Sequence, residues 1–174
     1  MRLLSTKMGL MKEFTDDHGV PYATLSHCWE NAADEVLYDE LMLVLRPYET
    51  LSPMENALTN AITKRPGFQK IEGCCHAAAS LQLSWVWVDT CCIDKRSSAE
   101  LSGAINSMWR WYEEASCCIV SLAGVSASRD RQGFRQSRWF TRSWTLQELI
   151  APKRHEFYTS RWVSIISQQT KFAR

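Results

Sequence analysis

A tryptophan and a glutamate stand four residues apart in a stretch that could do chemistry, Trp144 and Glu148. The stretch 142–150 is predicted to be helical, and at about 100° per residue such a pair shares one face. An indole can stack on a flat ligand and a carboxylate can meet positive charge, so this face is a candidate pocket wall. The alternative is that Trp144 packs under a neighbouring loop while Glu148 is solvated. The opposite face, expected to lie on the core, carries Leu146, Leu149 and Ile150.

Further polar and aromatic side chains follow two stretches that are predicted to be strands. His27 and Trp29 come directly after Tyr22–Ser26, and Asp89 ends the apolar run Trp85–Val88. Open α/β sheets bind ligands at the carboxyl ends of their strands, which makes these residues candidates for a binding site. The alternatives are a turn in which Trp29 covers the sheet edge and a capping role for Asp89.

Strand and helix patterns alternate along the chain, which indicates an α/β fold with a mostly parallel sheet flanked by helices. After the first strand, positions 31–67 are predicted to form a variable helical insert. The later predicted elements are a helix at Phe68–Leu83, a strand at Trp85–Val88, a helix from Ser97 to about Ala115, and strands at Cys117–Leu122 and His155–Tyr158.

The helix that begins near Ser97 carries the clearest local signal. Ser97 and Glu100 match a capping box, in which the serine caps the first turn and the glutamate reaches back. Its apolar residues recur at three- and four-residue steps, which predicts a buried stripe of Leu101, Ile105, Met108, Tyr112 and Ala115. By contrast, positions 1–21 are expected to be an irregular lead-in. Positions 163–174 are expected to be a loosely ordered or truncated tail after a domain that spans 1–162.

The composition limits the classes of protein to which the chain can belong. A chain of 174 residues suits one domain, and 20 basic against 19 acidic residues provide no overall charge that favours nucleic acid or membranes. The seven cysteines are odd in number and lack CxxC spacing, so reduced thiols and a cytoplasmic location are expected. No metal is expected, because His27 and Cys28 lack a second ligand pair at zinc spacing. The longest stretch without a formal charge, Gly73–Val88, is too short and too polar to span a bilayer.

Common nucleotide and nucleophile motifs do not occur in the sequence. The seven glycines do not fall into GxGxxG or phosphate-loop spacing, and there is no GxSxG elbow. Five arginines interleaved with aromatic residues resemble a small nucleic-acid patch: Arg129, Arg131, Arg135, Arg138 and Arg142. Such charge runs are usually solvated, so nucleic-acid binding is not favoured, while a phosphate-binding role stays open.

Three blocks of the sequence together resemble the signature blocks of the fungal heterokaryon incompatibility (HET) domain. The blocks are Tyr22–Trp29 (YATLSHCW), Trp87–Lys95 (WVDTCCIDK) and Arg138–Pro152 (RWFTRSWTLQELIAP). The segment 97–112 also resembles the helix of this family, so the likeness extends over nearly all of positions 22–162. The chain departs from the family pattern at Glu30 and Ser143, where glycine is usual.

This resemblance implies a cytoplasmic module of fungal self/non-self recognition that triggers cell death and self-associates. HET domains have been likened to TIR domains, which implies a flavodoxin-like (TIR-like) sheet. The stretch 143–149 resembles the TIR segment whose glutamate is catalytic in members that cleave NAD. By that match, and only by it, Glu148 becomes the candidate catalytic residue, with NAD or a related nucleotide as substrate and no cofactor.

The same resemblance implies roles for the other candidates. The residues expected to contact the nucleotide are Ser26, His27, Trp29, Asp89, Arg138, Arg142 and Trp144. A tryptophan would stack on a base, the polar residues at the strand ends would line the pocket, and an arginine would meet the pyrophosphate. The alternative function is a non-enzymatic module that assembles and recruits a partner through an interface hot spot.

Overall fold

The computed structural model describes residues 1–15, 19–29, 31–126 and 130–169. Within these ranges the strands are β1 (Arg2–Ser5), β2 (Met11–Glu13), β3 (Tyr22–His27), β4 (Trp85–Trp87), β5 (Cys117–Leu122), β6 (Arg154–Thr159) and β7 (Ser164–Gln169). The α-helices are α1 (Tyr38–Val44), α2 (Pro53–Ile62), α3 (Pro66–Ser80), α4 (Ser98–Glu114), α5 (Arg131–Arg135) and α6 (Thr145–Ile150). Two 3-10 turns, Tyr48–Thr50 and Arg138–Thr141, complete the described elements.

The seven strands form one mixed sheet in the order β2-β1-β4-β3-β5-β6-β7. The four central strands β4, β3, β5 and β6 are parallel to one another. The β1–β2 hairpin at one edge and β7 at the other edge pair antiparallel. The α/β fold with flanking helices is therefore confirmed, but the sheet is mixed, and only its centre has the expected parallel arrangement.

Three strands lie in segments that the sequence pattern predicts to be irregular. The lead-in 1–21 contains β1 and β2, and the predicted tail contains β7. β1 and β2 have four and three residues, too few to show a strand periodicity. β7 is formed by antiparallel pairing with β6 across a short turn. The sequence of the tail alone does not show that it will pair with β6.

The central strands are buried between two layers of helices. Every residue of β3 and of β5 is buried, as expected for parallel strands that are covered on both faces. Right-handed crossovers place α3 on one face of the sheet and α4 and α6 on the other. In agreement, α3 contacts β3, β4 and β5, while α4 contacts α6. The carboxyl ends of β3, β4 and β5 consequently meet at one edge of the sheet.

Segment 31–67 contains α1, α2 and a 3-10 turn, in keeping with a helical insert.

The cap of α4 follows local chemistry, with one departure from expectation. Ser97 caps α4 as predicted, because its hydroxyl accepts a hydrogen bond from the Glu100 amide at 3.3 Å. The Glu100 carboxylate does not complete a capping box. It accepts instead from the Asp94 amide at 2.7 Å and pairs with Arg2.

All seven cysteines are buried and free of disulfides. Burial raises the pKa of the Cys75 and Cys117 thiols to about 12. Burial also raises the pKa of Cys28, which stands beside His27. These thiols are therefore protonated at neutral pH and are poor nucleophiles.

A glycine in α3 makes room for a tryptophan that precedes β7. A Cβ atom at Gly73 would lie 2.0 Å from Cε2 of Trp162, so only a glycine allows the indole to approach the helix this closely. Trp162 itself has a left-handed backbone, with φ of 58°. Gly103 in α4 is the natural control, because a Cβ atom there would meet nothing within 4 Å.

We expect Gly73→Ala to lower the free energy of unfolding by about 1–3 kcal/mol, because the added methyl group displaces Trp162. We expect Gly103→Ala to raise it by about 0.5–1 kcal/mol, since alanine is the better helix former. Urea denaturation followed by circular dichroism measures both changes. Equal stability of Gly73→Ala and the wild type would show that Trp162 does not pack on α3.

Candidate functional site

The candidate site lies where β3 and β4 end. Ser26 and His27 are the last two residues of β3, and Asp89 stands two residues beyond the end of β4. Parallel pairing of β3 with β4 brings these ends to the same edge of the sheet. The 3-10 turn at 138–141 and helix α6 cover this edge, and they bury Trp139 and Glu148.

The Glu148 carboxylate is held by donors from two parts of the chain. The Ser26 hydroxyl donates to its Oε2 atom at 2.5 Å. The Arg142 guanidinium donates to both carboxylate oxygens, at 3.0 and 3.1 Å. The side chain of Glu148 is only 6% exposed, so this bidentate pair is largely desolvated. The carboxylate is thus fixed in position by an ion pair and a hydroxyl.

A buried tryptophan orients the hydroxyl that meets this carboxylate. The Trp139 indole N–H donates to the Ser26 hydroxyl oxygen at 2.6 Å, which leaves the Ser26 proton free for Glu148. The Thr145 hydroxyl in turn donates to the Trp139 carbonyl. Trp139 is fully buried and had no predicted role beyond the arginine-rich segment. The result is a chain of hydrogen bonds that runs from α6 and the 3-10 turn into β3.

Helix α6 turns its polar face inward, which corrects the expected orientation. Thr145 and Glu148 are buried, whereas Leu146 and Ile150 are 65% and 48% exposed. The alternative of a solvated Glu148 is wrong, because Glu148 is 4% exposed. Glu148 finds a guanidinium and a hydroxyl in the interior, and those contacts outweigh the burial of two aliphatic side chains.

Despite burial, the negative charge of Glu148 raises the pKa of Arg142. Burial alone would lower the pKa of its guanidinium, but the charge of the Glu148 carboxylate and its hydrogen bonds raise it above the usual value. Arg142 therefore stays charged despite being three-quarters buried. The Arg142 guanidinium thus makes both of its hydrogen bonds with Glu148. By contrast, the structure shows no hydrogen bond or ion pair from the Arg138 guanidinium to other described residues.

A second polar pair lies beside the first. The Nε2 atom of His27 is 3.0 Å from Oδ1 of Asp89. Burial opposes ionisation of Asp89, but the hydrogen bond from His27 and the charges of His27, Lys95 and Arg142 outweigh it and lower the pKa of Asp89 to about 2. Asp89 is thus a carboxylate at any physiological pH.

A cavity of about 470 Å³ opens at this edge of the sheet, within the usual size range of small-molecule sites. Six of the predicted site residues line it: Trp29, Asp89, Arg138, Arg142, Trp144 and Glu148. Ser26 and His27 do not line it, but they contact two of the lining residues, Glu148 and Asp89, through hydrogen bonds. The structure therefore brings all eight predicted residues to one place.

Helix α4 forms the apolar wall of this cavity. The residues that line it from this helix are Leu101, Ile105, Met108 and Tyr112. They belong to the stripe expected to be buried, but Ile105 is 44% exposed, and the buried residues of α4 are Ala104, Trp111 and Tyr112. Part of the predicted core stripe thus faces the cavity, which a helical periodicity cannot distinguish from a core.

Lys95 is a lining residue that the sequence did not single out. It follows β4 in the loop before α4, and its Nζ atom lies 4.0 Å from the centroid of the Trp29 ring. The lining side chains include three cations, Lys95, Arg138 and Arg142, and two carboxylates, Asp89 and Glu148. The small positive excess favours an anionic ligand.

The arginines of the predicted patch stand in different elements of the described structure. Arg142 points to Glu148 and Arg138 lines the cavity, while Arg135 stands at the end of α5. Arg129 lies outside the described residues. In the ranges that the structure describes, no cluster of His, Cys, Asp and Glu could hold a metal ion. Among the helices of those ranges, none is long and apolar enough to cross a membrane.

The fold and the site together define an α/β domain with a ligand-sized cavity at the carboxyl ends of parallel strands. The family model described as heterokaryon incompatibility protein (HET) matches residues 22–136, so the chain belongs to the HET family. This range includes the ends of β3 and β4 and all of α4, whereas Glu148 lies beyond it.

The chain is similar to the vegetative incompatibility protein HET-E-1 of Podospora anserina. The two are 42% identical over 147 residues, which covers 80% of this chain and 10% of that protein. The chain therefore spans about a tenth of the length of this relative. No solved structure matches the chain.

We expect Arg142→Met to lower the free energy of unfolding by about 3–5 kcal/mol, because it leaves the buried Glu148 carboxylate without its counter-charge. The double variant Arg142→Met/Glu148→Gln should be more stable than Arg142→Met alone, since no unpaired charge remains. Chemical denaturation of the wild type, both single variants and the double variant measures the coupling. Additive effects would show that the two side chains do not act as a pair.

Asp89 should contribute stability that depends on pH. Its pKa in the folded protein is about 2, below the ordinary value of about 4, so the contribution is complete above pH 4 and is lost as the pH falls towards 2. We expect the wild type to exceed Asp89→Asn by about 2 kcal/mol at pH 6 and by much less at pH 2.5. Urea unfolding at a series of pH values tests this. A difference that does not change with pH would contradict the assignment.

Proposed function

We propose that this chain is a module of fungal self/non-self recognition and cell death that acts by cleaving the nicotinamide–ribose bond of NAD. The observation that carries the chemical part is the Glu148 carboxylate, held in place by Arg142 and Ser26 at the wall of the cavity. Membership of the HET family and similarity to a vegetative incompatibility protein support the biological part.

The sheet supports the comparison with TIR domains. Numbered along the chain, the four parallel strands run in the order second, first, third, fourth. This is the beginning of the flavodoxin-like strand order, whose ligands bind where the order reverses. In this chain the reversal falls between β3 and β5, and β3 ends in Ser26 and His27. The cavity is lined by residues that follow β3 and β4, among them Trp29 and Asp89, so it lies at the carboxyl ends of the parallel strands and next to this reversal.

The proposed reaction suits a site with one carboxylate. When the bond between C1′ of the ribose and the pyridinium nitrogen breaks, its electron pair moves to nitrogen and neutral nicotinamide leaves. The ribose becomes an oxocarbenium-like cation, as in glycoside hydrolysis. Water then bonds to C1′ and releases a proton to solvent. No acid is needed for the leaving group, so the main demand is stabilisation of the cation.

Glu148 is suited to that demand. A carboxylate offers about four lone-pair sites, and Ser26 and Arg142 occupy three of them. The remaining site can accept a ribose hydroxyl while the negative charge stabilises the developing cation. Because the hydrogen-bonded partners hold the carboxylate before the reaction, little reorganisation is required.

The walls of the cavity fit the rest of a dinucleotide. Trp29 and Trp144 offer indole faces for the nicotinamide or the adenine. The apolar side chains of α4 exclude water from one side, and Arg138 is available for a phosphate. A cytoplasmic location and self-association belong to the same proposal, and free thiols are in keeping with a reducing compartment.

We expect wild-type protein at high concentration to release nicotinamide from NAD, and Glu148→Gln to release it about 100-fold more slowly or not at all. Chromatography of the reaction mixture measures the product. Glu156→Gln is a matched control, because Glu156 is also a buried carboxylate paired with an arginine, Arg154, but it does not line the cavity. This control should keep wild-type activity.

A non-enzymatic assembly module is the second candidate. It is favoured by the outer face of α6, where Leu146 and Ile150 are exposed. Contiguous apolar side chains at a surface are typical of interfaces. If concentrated wild-type protein releases no nicotinamide, the enzymatic proposal is wrong and assembly becomes the favoured function. If Glu156→Gln loses activity together with Glu148→Gln, the assay reports folding rather than catalysis.

A further inference from the structure

The ammonium group of Lys95 is buried without a hydrogen-bond acceptor in the described part of the chain. An ammonium carries three donors, and buried polar groups are nearly always hydrogen-bonded because leaving them unpaired costs free energy. The structure places the ammonium over the face of Trp29, at 4.0 Å from the ring centroid. An indole face attracts a cation but accepts no strong hydrogen bond.

The carboxylates around Lys95 do not supply the missing acceptor. Asp89 acts on Lys95 through its charge, but its Oδ1 atom faces His27, and the structure shows no ion pair between Asp89 and Lys95. Glu35 also acts by charge, but its Oε1 atom accepts from Lys70 at 2.6 Å. Burial lowers the pKa of Lys95, and these charges oppose that effect. The ammonium is thus kept near negative charge without being bonded to it.

Lys95 also lies in the candidate site. Lys95 lines the same cavity as Glu148, and Arg138 is a second lining cation whose guanidinium makes no hydrogen bond to other described residues. Arg142, the third cation, is committed to Glu148. The cations that remain for a ligand are therefore Lys95 and Arg138.

We propose that Lys95, together with Arg138, binds the phosphate groups of a nucleotide in the cavity. Phosphate oxygens would give the ammonium the acceptors that the protein does not provide, and they would draw it from the Trp29 face. That face would then be open for stacking of a base. This inference rests on the proposed function because both place a nucleotide in one cavity, and it assigns the pyrophosphate contact to Lys95 rather than to Arg142.

The test compares ADP with adenosine as probes, because the two differ only in their phosphates. Isothermal titration calorimetry on the whole chain measures both affinities for the wild type and for Lys95→Gln. We expect Lys95→Gln to weaken ADP binding by about tenfold or more and to leave adenosine binding within about twofold. The dependence of ADP affinity on salt should also become shallower.

Two further variants guard against a general effect on folding. Lys95→Arg keeps the charge and should bind ADP within a few-fold of the wild type. Lys153→Gln removes an exposed lysine just before β6, at the opposite edge of the sheet, and should change neither affinity. Thermal unfolding of each variant confirms that it is folded.

Three results would overturn the inference: no binding of ADP by the wild type, equal weakening of ADP and adenosine in Lys95→Gln, or unchanged ADP binding in that variant. Its failure is distinguishable from that of the proposed function. Selective loss of ADP binding in Lys95→Gln supports the inference even if the wild type releases no nicotinamide. Release of nicotinamide with an unchanged KM in Lys95→Gln overturns the inference alone.

Discussion

The buried ion pair between Glu148 and Arg142 is the constraint on which the rest of the site depends. A carboxylate that is 6% exposed is costly unless donors surround it, and here the donors come from a strand end and from the segment before α6. These contacts set which face of α6 is buried. They also tie the helix to β3, so the strand ends and the cavity wall form one unit.

This arrangement explains why aliphatic side chains of α6 are exposed while a carboxylate is buried. Burying the aliphatic face would favour stability, and a solvated glutamate would cost less desolvation. The fold instead keeps a charged group at the wall of a cavity, with Trp139 and Thr145 fixing the geometry behind it. Departures of this kind from the usual pattern of burial are concentrated at functional sites in natural proteins.

The parts of the fold that could be predicted from sequence are those whose signal is local. The strands β4 and β5 are apolar runs, β3 is a stretch rich in residues that favour strands, and α4 has a cap and a helical period. The edge strands could not be predicted, because β1 and β2 are too short to show a strand period and β7 depends on pairing with β6, which the sequence of the tail alone does not show. The orientation of α6 was likewise hidden, since Ser26 and Glu148 are separated by 122 positions.

The candidate site was predictable to a similar extent. Their places after predicted strands made His27, Trp29 and Asp89 candidates, and the resemblance to known families made Glu148 a candidate. Lys95 could not be found this way, because a single lysine in a loop carries no pattern. Its significance appears only when burial, the Trp29 ring and the absence of an acceptor among the described residues are seen together.

The buried cysteines have a consequence for how motions of this protein can be observed. A thiol that is out of contact with solvent reacts slowly with alkylating reagents and oxidants. Its reaction therefore requires a local or global opening of the fold. Cys74 and Cys75 lie in α3, Cys91 and Cys92 lie in the loop after β4, and Cys117 and Cys118 lie in β5. They act as natural reporters of opening in three separate parts of the core, without any added label.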